Sequence, residues 1–337
     1  MNYLRIDPRN DEEFQAWFEV LHRAELDRDQ GRDEGWLAQE WLARATDEMA
    51  PNYHQLFAWG EGTTYVGVGA LELSRDDNLG WIRGDLFVDP PERRKGYGSA
   101  MLAQLETTAR ELNRSSLLFW VVEDTHERGS GPNRAFAPLN GYEVVEENAI
   151  REIDWPRPDG ELDRLSETWS PKAAAYDILY WRDATPSDLL KARAKLMAIM
   201  PVELPDSGFG SEPEHWDEHR VRLHEQRAHA MGRDLLVAVA RDRSSGEVVG
   251  FSELTVSRER PEIAYQWDTL VVRAHRGQYL GGLLKIATMR LLVDGKYKTK
   301  RIITSNNVLN TAMIAVNESL GAYPTGGIVT WRKVLGV

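Results

Sequence analysis

The chain has 337 residues, enough for two domains of ordinary size. An apolar share of 42% with 28% charged residues describes a globular protein and excludes a disordered one. A formal net charge of −12 with no long basic run excludes nonspecific nucleic-acid binding and favours encounter with cationic or amine substrates. Cysteine is absent, which removes disulfides, thiolate-ligated zinc and an acyl-cysteine intermediate together. No apolar run is long enough to cross a bilayer and Met1-Asn2-Tyr3-Leu4-Arg5 is no signal peptide, so a cytoplasmic location without membrane contact is expected. The histidines show no metal-ligand spacing; His215, His219, His224 and His229 read as a solvated helix face, and no metal is expected.

Taken in order, Tyr3-Leu4-Arg5-Ile6 alternates as a first strand, and the Asp7–Asp11 turn leads to a helix with the stripe Phe14, Trp17, Phe18 and Leu21. A second helix is predicted over Trp36–Met49, with its tryptophans in the core. Gln55–Trp59 and Tyr65–Leu73 read as strands joined at Gly60-Glu61-Gly62. Next, the apolar strand Leu86-Phe87-Val88 runs through Asp89-Pro90-Pro91-Glu92 into the turn Arg93-Arg94-Lys95-Gly96-Tyr97-Gly98-Ser99, which opens onto a helix. Unpaired N–H groups and the positive end of the dipole make such a helix start an anion cradle. Ser116–Val122 suits a buried parallel strand, a polar loop is expected over Glu123–Asn133, and a short helix and Leu139–Val144 follow.

From Asp154 to about Pro171 the text becomes linker-like, with proline, glycine and charge, and then the order restarts. Tyr176–Trp181 is a strand, Thr185-Pro186-Ser187-Asp188 caps a helix over Leu189–Met200, and Trp216–Met231 is a second helix. Leu235–Ala240 and Glu247–Leu254 form a hairpin. Thr269-Leu270-Val271-Val272 then enters a second basic glycine turn, Arg276-Gly277-Gln278-Tyr279-Leu280-Gly281-Gly282. Arg301–Thr304 is a buried strand and Asn310–Leu320 a helix ending at Gly321. The same order occurs twice, an internal duplication of about one domain. The expected domains are 1–153 and 175–337, with a linker over 154–174.

On these residues the chain resembles the GNAT superfamily of acyl-CoA-dependent N-acyltransferases, whose pyrophosphate loop reads Gln/Arg-x-x-Gly-x-Gly/Ala after a Val-x-Pro strand end. Val88-Asp89-Pro90 followed by Arg93 to Gly98 matches in full; the second copy matches at Arg276 and Gly281 but carries Tyr279 where the family usually has glycine. The second copy has the fuller final motif, Thr304-x-Asn306 and Asn310-x-x-Met313-x-x-x-Asn317-x-x-Leu320-Gly321, against Asn133 and Gly141-Tyr142 in the first. The layout is similar to actinobacterial two-domain members. The resemblance implies an α/β fold of two tandem GNAT-like domains, each a mostly antiparallel sheet with a parallel central pair flanked by helices. Neither loop supports a Rossmann or P-loop alternative: the third glycine of the first and the Gly-Lys-Ser/Thr of the second are missing.

The resemblance also implies direct transfer of an acyl group from acetyl-CoA, as co-substrate, to a small-molecule amine in a ternary complex, by a monomer or homodimer. Main-chain N–H groups of the loops would hold the pyrophosphate, with Arg93, Arg94, Lys95 and Arg276 adding charge. Gly96, Tyr97, Gly98, Ser99, Gly277, Gly281, Gly282, Asn306 and Asn310 complete the cofactor set. A splayed strand end around Phe87-Val88 and Leu270-Val271-Val272 would donate an N–H to the oxyanion. An ammonium must lose its proton before attack, so the candidate bases are the inner-strand acids Glu72, Asp85, Glu253 and Asp268. Many members protonate the leaving thiolate with a tyrosine one helical turn before the last glycine; those positions here are Ala137 and Asn317, leaving Tyr97, Tyr279 and Tyr142 as substitutes. Acceptor walls are expected around Trp36, Glu40, Trp41, Trp216 and Glu218. The missing tyrosines keep open a non-catalytic acyl-CoA sensor, or one catalytic domain beside a structural partner.

Overall fold

The computed structural model describes residues 2–124, 131–203 and 212–336, and the chain divides into two compact units. The first comprises Met1–Glu146 together with Ile328–Val337, and the second Glu147–Gly327. Part of the polar loop expected over Glu123–Asn133 lies outside the described residues. Among the described residues no helix is long and apolar enough to cross a membrane.

The first unit runs β1 (Asn2–Ile6), α1 (Asp11–Arg28), α2 (Ala38–Thr46), β2 (Asn52–Glu61), β3 (Thr64–Ser74), β4 (Trp81–Val88), α3 (Tyr97–Glu111), β5 (Ser116–Asp124), α4 (Pro132–Leu139) and the start of β6 (Glu143–Asp154). Asn10 caps α1 by accepting from the N–H groups of Glu12 and Glu13, and the helix seats Phe14, Trp17 and Leu21 against the sheet. Trp17 is wholly buried, and its indole N–H donates to Phe57 O at 3.0 Å, so the aromatic stripe is core. Strands β1 to β4 pair antiparallel in sequence order, while β4 and β5 are parallel from Trp81↔Ser116 to Gly84↔Phe119. Past Gly84 the two parallel strands part, opening a V.

The second unit contains the rest of β6, α5 (Glu161–Trp169), β7 (Tyr176–Arg182), α6 (Leu190–Glu203), α7 (Glu218–Ala230), β8 (Arg233–Asp242), β9 (Val248–Ser257), β10 (Ile263–Val271), α8 (Leu280–Asp294), β11 (Arg301–Asn307), α9 (Thr311–Ser319) and the start of β12 (Tyr323–Val334). Its parallel pair, β10 and β11, is in register from Ile263↔Arg301 to Gln266↔Thr304 and then also parts. The helix α8 is almost all apolar and crosses this sheet, burying Leu284, Ile286 and Met289.

Two boundaries differ from expectation. Residues 154–174 are no linker, because α5 forms there and Trp155, Trp169 and Ala173 enter the second unit's core. The end of the chain also leaves the second unit: β12 finishes beside β5, where Val329 and Trp331 join the first unit's apolar cluster. Conversely, β6 pairs antiparallel with β11 over Asn148–Asp154. Each unit therefore takes a strand from the sequence half expected to belong to the other, which strand patterning alone does not reveal.

Candidate active site

Both basic glycine turns adopt one backbone. Arg93 and Arg276 are extended, the next residues, Arg94 and Gly277, are left-handed at φ +63° and +79°, and the helix N-caps, Gly96 and Tyr279, are left-handed at +86° and +56°. Tyr279 thus takes a conformation that costs a side chain roughly 1 kcal/mol. Its ring stacks on Trp169 with centres 5.7 Å apart, and Lys172 Nζ lies 5.1 Å from the ring centre. The first helical hydrogen bonds come from Ala100 to Gly96 O at 3.3 Å and from Leu283 to Tyr279 O at 3.1 Å. Among the described residues, the N–H groups of Arg94 to Ser99 and of Gly277 to Gly282 therefore donate to no backbone carbonyl. Two anion cradles result.

The leading arginines are also engaged within the protein. Arg93 Nε donates to Val88 O at 3.3 Å and its guanidinium pairs with Asp27. Arg276 Nε donates to Val271 O at 2.9 Å and Nη2 meets Glu203 at 2.7 Å. Each ties its strand end to the loop and to a helix carboxylate instead of standing free over the cradle. Lys95 pairs with Glu92 at 2.9 Å, while Arg94 is exposed. Ser99 is exposed in the first turn of α3, but Gly282, its counterpart, makes room for Trp169: a Cβ there would lie 2.4 Å from the ring. Gly98 and Gly281 face α4 and α9, where a Cβ would meet Phe136 at 3.4 Å and Met313 at 3.8 Å. Phe87, Val88, Val271 and Val272 are half-buried at the strand ends, and Tyr97 packs on the first unit's core.

The four candidate bases separate by environment. In the first unit, Glu72 meets Arg83 at 2.5 Å, Arg44 at 3.6 Å and His54 at 3.8 Å. Asp85 is half-buried; burial lifts its pKa, against the pull of Arg83, Arg44 and Arg28. Glu25 on α1 is buried nearby and pushed up to about 7 by burial, with Asp85 and Asp29 adding to the rise against Arg28. The β3–β4 register is unbroken from Gly67↔Val88 to Glu72↔Arg83. Beyond the splay, the V contains Leu86, Leu102, Phe119, Val121, Phe136 and Ala137 around a cavity of about 90 Å³.

In the second unit, Glu253 is fully buried, ion-paired to Arg193 and 3.1 Å from His224 Nε2. Burial alone would raise its pKa; Arg193 and His224 outweigh that and hold it at about 2. Arg193 is itself buried and also bonds Thr185 at 2.5 Å and Glu225 at 2.8 Å. Thr185, expected as a helix cap, and His224, expected on a solvated face, thus belong to one buried ion-pair network. Glu253 is an anchor of that network and a poor base.

Asp268 has a different setting. The β9–β10 register shifts between Gln266 and Thr269, so Trp267 and Asp268 form a bulge opposite Glu253, immediately past the point where β10 and β11 part. Its side chain reaches solvent, yet protein crowds around it. Desolvation, then Glu253 and Glu214, push its carboxyl up to about 6 against the pull of His224. No hydrogen bond or ion pair holds it among the described residues. Trp216 and Trp267 flank His224 with ring centres 5.9 and 5.8 Å away, and Glu214 pairs with Arg220 at 3.1 Å. Trp36 packs under Arg44, Trp41 and Glu40 are buried, Glu40 capping Leu37 N at 2.9 Å, and Glu218 is exposed.

The final motif yields one residue that sequence reasoning passed over. Lys285, in the otherwise apolar run of α8, is 3% exposed and donates to Asn317 Oδ1 at 2.7 Å. Asn317 Nδ2 in turn donates to Asn306 Oδ1 at 3.0 Å, and Asn310 caps α9 through Met313 N at 3.2 Å. Burial pulls the Lys285 pKa down to about 7. A lone lysine amid Leu283, Leu284, Ile286 and Ala287 was the available signal. Of the tyrosines, Tyr142 is buried and donates to Glu106 at 3.2 Å, which with burial raises its pKa and disqualifies it as an acid. No group of acidic or histidine residues able to hold a metal occurs among the described residues.

Comparison with known proteins agrees with this architecture. Residues 12–130 match the acetyltransferase (GNAT) family model. No functionally curated protein matches the sequence. A tandem GNAT protein from the clavulanic acid biosynthesis pathway superposes with a TM-score of 0.79 at 24% identity, covering 100% of this chain and 99% of that one. A GCN5-related N-acetyltransferase from Sphaerobacter thermophilus superposes at 0.65 with 13% identity, covering 99% and 96%. The chain therefore has the tandem GNAT fold, and its first unit carries the family's sequence match.

Proposed function

We propose that this chain is an acyl-CoA-dependent N-acetyltransferase for a small amine, with its chemistry in the second unit. The observation that carries this reading is the bulge of β10, which sets the unpaired carboxylate of Asp268 at the mouth of a V below an anion cradle. The cradle of Gly277 to Gly282 receives the CoA pyrophosphate, and the pantetheine arm enters between β10 and β11. Past Gln266 the edge of β10 that faced β11 has no strand partner; Val272 N donates to β9 at Val249 O, so by alternation the N–H of Val271 faces the open edge and is available to the developing oxyanion.

Asp268, directly or through a water, takes the proton from the bound ammonium. The free amine then attacks the thioester carbonyl, a C–N bond forms, the nitrogen gives its second proton to water, and the C–S bond breaks to release CoA. The unpaired Asp268 carboxylate, in mainly acidic surroundings, favours a cationic amine over an acceptor bearing a carboxylate. The first unit supports another role. Its V is apolar, its strand has no bulge, and arginines surround Asp85, which suits a cofactor-binding or structural partner.

Incubating the protein with acetyl-CoA and a panel of amines and amino acids, with thiol release as the readout, tests the reading. Turnover with cationic amines is expected; no turnover on any acceptor sinks it.

A further inference from the structure

The fold puts three matching positions at the inner wall of each V: Leu102, Val121 and Ala137 in the first unit, and Lys285, Asn306 and Asn317 in the second. In the first unit they line the apolar cavity. In the second they are a buried polar chain linking α8, α9 and the splayed end of β11. Asn306 lies beyond Thr304, the last residue of β11 paired with β10, so the polar chain ends on the splayed part of β11. Helix α8 packs in a different apolar cluster from α6 and α7, which carry Arg193 and His224 beside Asp268's neighbour Glu253.

Lys285 is the anomalous member. Its amine is nine-tenths buried, has Asn317 as its one hydrogen-bond partner, and has no carboxylate within ion-pair distance among the described residues. A leucine or methionine would fill the same space without desolvating an amine, and the first unit does use leucine there. Packing therefore does not account for the lysine. At least one of its N–H bonds is left without an acceptor, which suits a transient anion in the V.

We propose that Lys285, held in place by Asn317, is the proton donor to the CoA thiolate. The inference rests on the transferase reading above. As the tetrahedral intermediate collapses, the C–S bond breaks and the sulfur takes a proton from the Lys285 ammonium, leaving the neutral amine. Asp268 holds the first proton from the acceptor and the newly bonded nitrogen gives its second to water; Asp268 returns its proton to solvent and solvent reprotonates Lys285, so the turnover yields amide, CoA thiol and one net proton. The thiol of CoA would ionise near pH ~8.5, so donation lowers the barrier near neutrality without being indispensable.

The test compares wild type with Lys285→Met and Lys285→Arg at saturating acetyl-CoA and amine, recording kcat across pH and thermal melts. In Lys285→Met, kcat is expected to fall by about 10²-fold with KM for acetyl-CoA little changed. Wild-type kcat should decline as pH rises through about 7, and that limb should be missing from the methionine variant. Arginine keeps the charge but gives up no proton, so it should be as slow as methionine. A methionine variant with wild-type kcat and pH profile overturns the proposal, as does full rescue by arginine. A methionine variant that fails to fold also overturns it, since the lysine would then be structural. Failure of the transferase reading looks different: wild type itself releases no CoA.

Discussion

Asp85 and Asp268 stand at the same place in two copies of one fold, three residues before a strand end; desolvation raises both carboxyls, but the strand geometry and the charges around them differ. Around Asp85 the strand pairing is regular, and Arg83, Arg44 and Arg28 supply the positive charge. Around Asp268 the strand bulges, the neighbouring arginines are occupied by Glu253, Glu225 and Glu214, and His224 is the one positive influence on its titration. The lesson is that a base is made by its surroundings. β10 has one extra residue at Asp268, and the charges around that carboxylate are mainly acidic, Glu253 and Glu214 against His224, where Asp85 has three arginines. The same contrast continues deeper, where Leu102, Val121 and Ala137 give way to Lys285, Asn306 and Asn317.

The largest expected effect is at the two aspartates. Asp268→Asn should lower kcat/KM by about 10³-fold, the middle of the range for loss of a positioned base, while Asp85→Asn should change it less than about 3-fold. Wild-type activity should rise with pH as Asp268 ionises through about 6. Thiol-release kinetics on both variants across pH check this, and equal losses would erase the distinction between the units.

The next effect is at the cradles. An aspartate at Gly281 has space, since its Cβ would meet only Met313 at 3.8 Å, but its charge opposes a pyrophosphate. Gly281→Asp should weaken acetyl-CoA binding linked to turnover by about 100-fold, while Gly98→Asp leaves turnover within about 3-fold. Calorimetric titration of CoA alongside kinetics reads both, and loss of turnover from Gly98→Asp alone would move the chemistry to the first unit.

The smallest effect concerns Tyr279. Replacing it by glycine relieves roughly 1 kcal/mol of left-handed strain and forfeits a stacking contact of about 0.5–1.5 kcal/mol, so Tyr279→Gly should leave stability within about 1 kcal/mol. Denaturant melts measure it. A larger loss would mean that the Trp169 stack, and not the backbone, defines the second loop.

Local order carried much of this in the sequence. Duplicated strand–turn–helix segments, apolar stripes such as Phe14, Trp17 and Leu21, and the two basic glycine turns specify their elements through spacing and turn chemistry, which act over a few residues. The resemblance of those turns to a cofactor loop pointed to the right fold. Four acids could be named as candidate bases because strand alternation places them on the inner strands.

What only the tertiary structure decided depends on distant partners. Glu253 and Asp268 look alike in sequence, yet Arg193, sixty residues from Glu253, neutralises one, and the other sits in a β10 bulge and is exposed. The carboxylates that pair with Arg93 and Arg276, Asp27 and Glu203, are likewise invisible in the loops themselves. The expected linker became part of a core because Trp169 found the space above Gly282, and β6 and β12 each complete a unit that their sequence positions do not announce. Charge pairing, burial and strand registry are long-range, and a sequence states them only through the fold.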